Sequence, residues 1–146
     1  MIECSARDAV FSYFHQELGL RWSDDFRGVL YVPEHYEGQL TNPAHVAVAV
    51  GYDCFIGRTC CMHSVIPQPQ ALSRKIVRAS FAYPFDVCGC MAVLALVDSP
   101  NARSLSLVQR LGFKEVCRIP HGGIEGDLVV MQMLRDECPW IRRTLH

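Results

Sequence analysis

Hydrophobic positions follow two different periods along this chain, and each period predicts a different kind of element. Apolar runs of about four to eight residues are typical of strands, and a continuous run indicates burial on both faces of a sheet. The run Val93–Val97 is the clearest example of the continuous kind. The predicted strands are Gly28–Pro33, His45–Val50, Phe55–Ile66, Val93–Val97, Glu115–Ile119 and Asp127–Leu134.

Apolar residues at helical spacing predict three amphipathic helices, over Ser5–Leu20, Ala71–Tyr83 and Ala102–Gly112. Ser5 is the predicted cap of the first helix, and Gly19 marks its end because glycine readily adopts a left-handed backbone. Pro84 is expected to end the second helix. The third helix is expected to begin at Asn101, whose side chain can accept a bond from a first-turn N–H, and to end at Gly112.

The connections between these elements complete the predicted order. Glu34–Pro43 is a long loop, Gly51–Asp53 is a predicted hairpin turn, Gly57 is a predicted bulge within the following strand, and Pro120–Gly126 is the turn of a second hairpin. Helices that lie between strands favour an α/β fold with a mixed sheet and helices on both faces. Since the chain contains no repeat or linker, we expect residues 1–146 to form a single domain.

Composition and charge narrow the class of protein. The 146 residues are 50% hydrophobic with a formal net charge of −1, which is typical of a folded domain and gives no general attraction to nucleic acid or to an anionic membrane. No apolar run approaches the roughly 18 residues that a membrane-spanning helix needs. We therefore expect no membrane and no nucleic-acid partner.

The eight cysteines bear on the redox compartment. They include no Cys-x-x-Cys pair, and the first residues lack the pattern of a secretory signal. Because free cysteine behaves as a small hydrophobic residue, we expect reduced, structural thiols in a cytoplasmic protein, with no metal site.

The segment around the third helix carries the most specific motif. Asn101-x-x-Ser104-x-x-Leu107-x-x-x-Leu111-Gly112-Phe113 resembles the Asn-x-x-Ala-x-x-Leu-Tyr-x-x-x-Gly-Phe pattern of the GCN5-related N-acetyltransferase (GNAT) superfamily. The resemblance covers about residues 28–134, and more narrowly the chain looks like the small acetyltransferase-like proteins of phages and proteobacteria. It implies a mixed, mostly antiparallel sheet, acetyl-CoA as cosubstrate, and direct acetyl transfer to a small-molecule or peptide amine.

The resemblance also assigns residues to acetyl-CoA. The backbone of Met62 and Ser64 would pair with the pantetheine amides, and Asn101 and Ser104 would contact the same arm. The segment that would bind the diphosphate comprises Gln68, Gln70, Ala71, Leu72, Ser73 and Arg74. The alternative is an ordinary strand–helix connection. However, a basic first turn is unfavourable beside the helix dipole unless an anion binds there.

Two positions decide whether catalysis is expected. His63 lies on the strand that would pass the acetyl group and is the candidate general base. The alternatives are a polar residue on the outward face of the strand and a core histidine whose hydrogen bonds are satisfied. Asp53 is the only carboxylate between Gly51 and Pro67. The family's general-acid tyrosine is replaced by Val108, and the spacing does not indicate which of Ser104, Ser106, Cys90 or water would substitute.

Other interpretations remain open. A GNAT-like binding module with weak or no catalysis is favoured by Val108, whereas a nucleic-acid or phage-assembly role for Arg74, Lys75 and Arg78 is opposed by the net charge. An acyl-carrying Cys60 or Cys61 is a weaker alternative. The candidates for acceptor contacts or simple turn roles are His121, Glu125 and Asp127, and those for packing on the domain or for a homodimer contact are Trp140, Arg142 and Arg143.

Overall fold

The computed structural model describes residues 1–142 and contains three α-helices and seven strands in that part of the chain. The helices are α1 (Arg7–Leu18), α2 (Arg74–Ala82) and α3 (Ala102–Leu111). The strands are β1 (Ile2–Cys4), β2 (Arg27–Val32), β3 (Val48–Ile56), β4 (Thr59–Val65), β5 (Ala92–Asp98), β6 (Lys114–Ile119) and β7 (Leu128–Leu134). Short 3-10 turns cover Glu34–Gln39, Pro43–His45, Pro69–Ala71 and Arg135–Glu137, and a π turn covers Tyr83–Val87.

The strands follow the order β1-β2-β3-β4-β5-β7-β6. β4 and β5 pair in parallel, whereas the pairs β1–β2, β2–β3, β5–β7 and β6–β7 are antiparallel. The predicted α/β class with a mixed, mostly antiparallel sheet is therefore confirmed. The chain divides into two compact units, the first with residues 1–55 and 62–80, the second with residues 56–61 and the described residues from 81 onward. The expectation of a single domain remains a prediction.

The core of the first unit lies between α1 and the adjoining strands. Val10 and Phe14 of α1 pack with Phe26 and Leu30, and all four side chains are fully or almost fully buried. Apolar side chains recurring at helical spacing on α1 therefore meet apolar side chains contributed by β2 and by the residue before it. This packing fixes β2 and β3, which position one side of the candidate site.

The hairpin turn lies later than predicted. The expected turn at Gly51–Asp53 is wrong, because β3 continues to Ile56 and turns at Gly57 and Arg58. Gly51 lies inside the strand, where a Cβ would come within 3.0 Å of the rings of Phe14 and Phe26. The predicted bulge at Gly57 is also wrong, because Gly57 forms the turn itself and has the left-handed backbone, φ 59°, that a tight turn requires.

The ends of the first two helices also differ from expectation. α1 begins at Arg7 after Ala6, so Ser5 does not cap it, whereas Gly19 ends it at φ 66° as predicted. Pro84 does not stop the second helical segment, which continues as the π turn to Val87. Proline has no N–H to offer the Ser80 carbonyl, and the Tyr52 hydroxyl donates to that carbonyl instead, at 2.6 Å.

Strand β1 was not predicted from the sequence. Ile2, Glu3 and Cys4 pair with Val32, Tyr31 and Leu30 of β2. Three residues give too little periodicity to identify a strand, and a partner about thirty residues away stabilises it.

The second unit is organised by β5, which pairs with β7 along seven residues. Asn101 accepts a hydrogen bond from the Ser104 N–H at 3.1 Å, and Gly112 ends α3 with φ 116°, so both predicted helix boundaries are confirmed. The prediction that β5 is buried on both faces is wrong at Leu96, which is 43% exposed.

None of the helices within residues 1–142 is long and apolar enough to cross a membrane. Five of the eight cysteines are buried.

The Asn101 cap is expected to make a measurable contribution to the free energy of unfolding. Because the Asn101→Ala substitution leaves a first-turn N–H of α3 without its partner, we expect a loss of about 1 kcal/mol in the free energy of unfolding by urea titration. Asn101→Ser retains a capping oxygen and should unfold close to the wild type. Equal stability of the alanine variant and the wild type would show that the cap contributes nothing.

Candidate active site

The connection from β4 to α2 is the strand-to-helix junction that the sequence predicts. β4 ends at Val65, a 3-10 turn covers Pro69–Ala71, and α2 begins at Arg74. The Gln68 N–H donates to the Ala47 carbonyl at 3.2 Å, which ties the junction to the residue just before β3. The segment is therefore held at its start, and its last residues lead directly into the first turn of the helix.

The junction uses some of its amides internally and leaves others available. The N–H groups of Ala71 and Leu72 donate to the carbonyls of Gln68 and Pro69 at 2.9 and 3.1 Å. The backbone N–H groups of Ser73, Arg74 and Lys75 have no hydrogen-bond acceptor among residues 1–142. These three amides begin α2 and carry the positive end of its dipole.

Ser73 caps the helix, with its Oγ accepting from the Ile76 N–H at 3.2 Å. A hydroxyl that accepts one bond still has its own hydrogen to donate. The Arg74 and Lys75 side chains are exposed, and neither forms an ion pair within the described residues. The first turn of α2 also contains no acidic residue. Three amides without an acceptor among the described residues, a hydroxyl hydrogen and two cations outside any described ion pair therefore belong to one helix terminus, which suits an anion.

The predicted pantetheine contacts lie just upstream of this junction. The parallel ladder of β4 with β5 runs through Thr59, Cys60 and Cys61, and β4 continues for four more residues to Val65. Met62 is half-buried and Ser64 is exposed. Both belong to the first unit together with the junction.

His63, the candidate base, is paired with Asp53, the only carboxylate between Gly51 and Pro67. Its Nε2 lies 2.7 Å from Oδ1 of Asp53 on β3. The Asp53 side chain is 6% exposed and that of His63 is 20% exposed. A buried carboxylate needs a partner of this kind, and His63 supplies it while retaining access to solvent.

A second carboxylate, Asp25, organises the backbone that follows Asp53. The Phe55 N–H donates to Asp25 Oδ2 at 2.8 Å, and the Ser23 hydroxyl donates to Oδ1. The Ser23 hydroxyl lowers the pKa of Asp25, and the N–H groups of Phe55 and Cys54 add to this effect, against the opposing effect of burial. Sequence reasoning missed Asp25 because it is about thirty residues from the amides it binds.

In the second unit, Asn101 and Ser104 form the cap of α3 described above. Ser104 is half-buried, and so is Val108 one turn further along the helix. Asn101 accepts the capping bond through its oxygen, so its amide N–H₂ group is available to a ligand.

The end of β5 is occupied by the final hairpin. Asp98 accepts hydrogen bonds from the N–H groups of Glu125 and Gly126 at 2.9 and 3.0 Å, and Ser99 Oγ accepts from the Asp127 N–H at 3.0 Å. Asp127 in turn accepts from the His121 N–H at 3.3 Å. These bonds give the hairpin residues a structural role, which was the simpler of the two interpretations.

The buried thiols do not have the properties of nucleophiles. Burial raises the pKa of both Cys60 and Cys90, and Cys61 is only 7% exposed. A neutral thiol is a poor nucleophile, so the geometry disfavours an acyl-cysteine mechanism.

Comparisons with known proteins address the fold. No protein-family model and no curated protein sequence matches the chain. A mutant of the spermidine N-acetyltransferase SpeG from Vibrio cholerae superposes with a TM-score of 0.71 at 14% identity, covering 92% of this chain and 95% of that one. A chimera of the same enzyme with hSSAT gives 0.69 at 15% identity, with coverages of 93% and 98%. SpeG in complex with manganese ions gives 0.66 at 15% identity, with 91% of each chain covered.

This chain has the GNAT fold. At 14–15% identity the likeness establishes the arrangement of helices and strands and leaves the activity to be argued from the residues.

The Asp25 network predicts how stability depends on pH. The pKa of Asp25 is lowered in the folded protein, so its bonds stabilise the fold above the unfolded-state pKa of about 4, and this contribution is lost as the pH falls through the folded-state value. Wild type should therefore lose more free energy of unfolding between about pH 7 and about pH 3 than Asp25→Asn does.

Urea titration at a series of pH values measures this difference. Asp136 is exposed and has no hydrogen-bond partner among the described residues, so Asp136→Asn is a matched control that should follow the wild-type curve. Parallel curves for wild type and Asp25→Asn would contradict the role given to Asp25.

Proposed function

We propose that this chain is an acyl-CoA-dependent N-acyltransferase that moves an acetyl group from acetyl-CoA to an amine by direct attack in a ternary complex. The observation that carries the proposal is the first turn of α2, where the N–H groups of Ser73, Arg74 and Lys75 are unpaired among the described residues and the neighbouring cations are free. A diphosphate is an anion of the size and charge that such a terminus binds.

Each residue of the junction then has a role. Arg74 supplies a charge-assisted hydrogen bond to a phosphate oxygen, and the Ser73 hydroxyl donates a second bond. The internal bonds of Gln68, Ala71 and Leu72 hold the loop in shape so that the amides after them stay aligned. Gln70 is exposed at the middle of the 3-10 turn, where its side chain can reach a phosphate or ribose oxygen.

The thioester arm is assigned to the strand before the junction. We propose that the Met62 and Ser64 backbone pairs with the pantetheine amides as an added strand would, and that Asn101 and Ser104 contact the same arm. Acetyl-CoA supplies the acyl group as an activated thioester, and the role of the protein is to orient it and to accept the proton of the amine.

The acceptor is an amine, and the structural neighbours suggest which amines to test first. Those neighbours are spermidine N-acetyltransferases. We therefore propose a polyamine such as spermidine as the first acceptor to test, followed by other small amines and peptide amines. The narrower relation to phage and proteobacterial proteins, a cytoplasmic location and a homodimer also remain proposals.

A second candidate is a GNAT-fold module that binds without efficient catalysis, and Val108 favours it. A valine cannot return a proton to the leaving thiolate, and loss of one acid group costs about 10²- to 10⁴-fold in rate. We expect a slow enzyme, since positioning of the two substrates still contributes to the rate.

Isothermal titration calorimetry with acetyl-CoA directly tests the proposed diphosphate cradle, which is the segment from Gln68 to Lys75. Arg74→Ala should weaken binding about 10- to 100-fold, because it removes a charge-assisted bond. Ser73→Asp retains a good helix cap but brings a negative charge to the diphosphate, so it should weaken binding without loss of stability.

Two conservative changes serve as controls for this titration. Ser73→Thr keeps both the cap and the hydroxyl, and Arg21→Ala removes an exposed arginine from a loop outside the junction. Both should bind as the wild type does. Unchanged affinity in Arg74→Ala and Ser73→Asp would place the diphosphate elsewhere, and absence of binding by the wild type at millimolar ligand would favour the module.

Amine-dependent release of the CoA thiol separates the enzyme from the module. We expect Val108→Tyr to raise the rate of thiol release by up to about 10²-fold, because it supplies the missing acid. Val108→Phe adds nearly the same volume without a hydroxyl and should give no gain. An equal gain in both variants, or none in the tyrosine variant, would contradict the proposed effect of Val108.

A further inference from the structure

Asp53 is a buried carboxylate in an otherwise apolar part of the first unit. It lies on β3 with 5% of its surface exposed, among strand residues that are otherwise apolar from Val48 to Tyr52. Burying a carboxylate is strongly unfavourable unless it is paired, and an apolar residue would stabilise the strand as well or better. A buried carboxylate held against a histidine therefore calls for a role beyond packing.

The hydrogen bond between the two residues defines the state of the imidazole. An ionised carboxylate only accepts hydrogen bonds, so His63 Nε2 carries the hydrogen that it donates to Asp53 Oδ1, at 2.7 Å. In the neutral ring, Nδ1 then bears the lone pair. Nδ1 has no partner among the described residues and is not one of their buried unpaired atoms. The basic nitrogen of His63 is therefore the one that solvent can reach.

The backbone next to Asp53 is held in an unusual conformation. Cys54 has φ 52°, a left-handed backbone conformation that is unfavourable for a residue with a Cβ. Asp25 holds the following residue by accepting the Phe55 N–H at 2.8 Å, and its pKa is lowered by the Ser23 hydroxyl first and then by the N–H groups of Phe55 and Cys54. A strained residue fixed by a second carboxylate therefore sets the position from which Asp53 reaches His63.

We propose that Asp53 is a positioning residue for proton transfer, which holds His63 with Nδ1 free to accept the proton of the acceptor amine. The inference rests on the proposed function. The amine nitrogen forms a bond to the thioester carbon, and His63 Nδ1 takes a proton from that nitrogen. The C–S bond breaks, the CoA thiolate leaves and takes a proton from solvent, and the imidazolium then returns its proton to solvent. Asp53 stabilises the imidazolium during this cycle because its negative charge lies against Nε2.

The first test needs no substrate. Long-range ¹H–¹⁵N correlation spectra report which ring nitrogen of His63 carries the hydrogen. The wild type should show the Nε2–H form of the neutral ring, and Asp53→Asn, whose amide can also donate, should show a mixture of tautomers. Asp136→Asn is the control and should match the wild type. An unchanged tautomer in Asp53→Asn would overturn the inference.

The second test is the rate of amine-dependent thiol release. His63→Gln should lower kcat about 10²-fold or more, and Asp53→Asn should lower it at least about 10-fold, with the dissociation constant for acetyl-CoA unchanged in both. Asp53→Glu keeps the charge and should recover part of the loss. Thermal unfolding of each variant confirms that it is folded, and His63→Gln keeps the test decisive if Asp53→Asn does not fold.

The outcomes separate the inference from the function it rests on. An active wild type with wild-type kcat in Asp53→Asn and His63→Gln would overturn the inference and leave the transferase proposal in place. A wild type that releases no thiol with any amine would overturn the proposed function, and the catalytic role of the pair with it. Loss of acetyl-CoA binding in step with kcat would also overturn the inference, since a proton acceptor for the amine does not bind CoA.

Discussion

An α-helix cannot satisfy the N–H groups of its own first turn. In this chain the important case is the first turn of α2, which follows the junction after β4. Ser73 satisfies one of these groups by capping Ile76, while the N–H groups of Ser73, Arg74 and Lys75 find no acceptor within the described residues. Two cations lie at the same terminus, where the helix dipole already contributes positive charge. The proposed role of the chain depends on an anion that accepts hydrogen bonds from these amides and balances the positive charge.

The rest of the first unit is arranged around the same stretch of chain. Residues 62–75 contain the proposed pantetheine contacts, the candidate base and the diphosphate cradle in sequence, so one strand and one helix terminus position all three. β3 contributes Asp53 from the neighbouring strand position, and Asp25 fixes the backbone beyond it. Val108 occupies the position at which the resemblance predicts a residue that returns a proton to the thiolate, and its apolar side chain cannot do so.

Local signals in the sequence were enough to predict some of these features but not others. The Asn101 cap and the Gly112 end of α3 depend on residues within one or two turns, and both were predicted. The hairpin turn was misplaced because Gly51 and Gly57 both lie between apolar segments, so the sequence allows a turn at either. Contacts with the rings of Phe14 and Phe26 show that Gly51 lies inside a strand. The bonds of Asp25 to the backbone after Asp53 join segments about thirty residues apart, which no periodicity reveals. By contrast, the junction was predicted because prolines and a basic helical turn occur together in the sequence.

Titration of ¹⁵N-labelled protein with CoA, followed by amide ¹H–¹⁵N spectra, tests the central claim most directly. The account predicts that the amide signals of Ser73, Arg74 and Lys75 move together and saturate at one ligand concentration, while those of Ala71 and Leu72, already paired within the loop, move less. CoA binding that leaves the signals of Ser73, Arg74 and Lys75 in place would contradict it, because the anion would then be bound by another part of the chain.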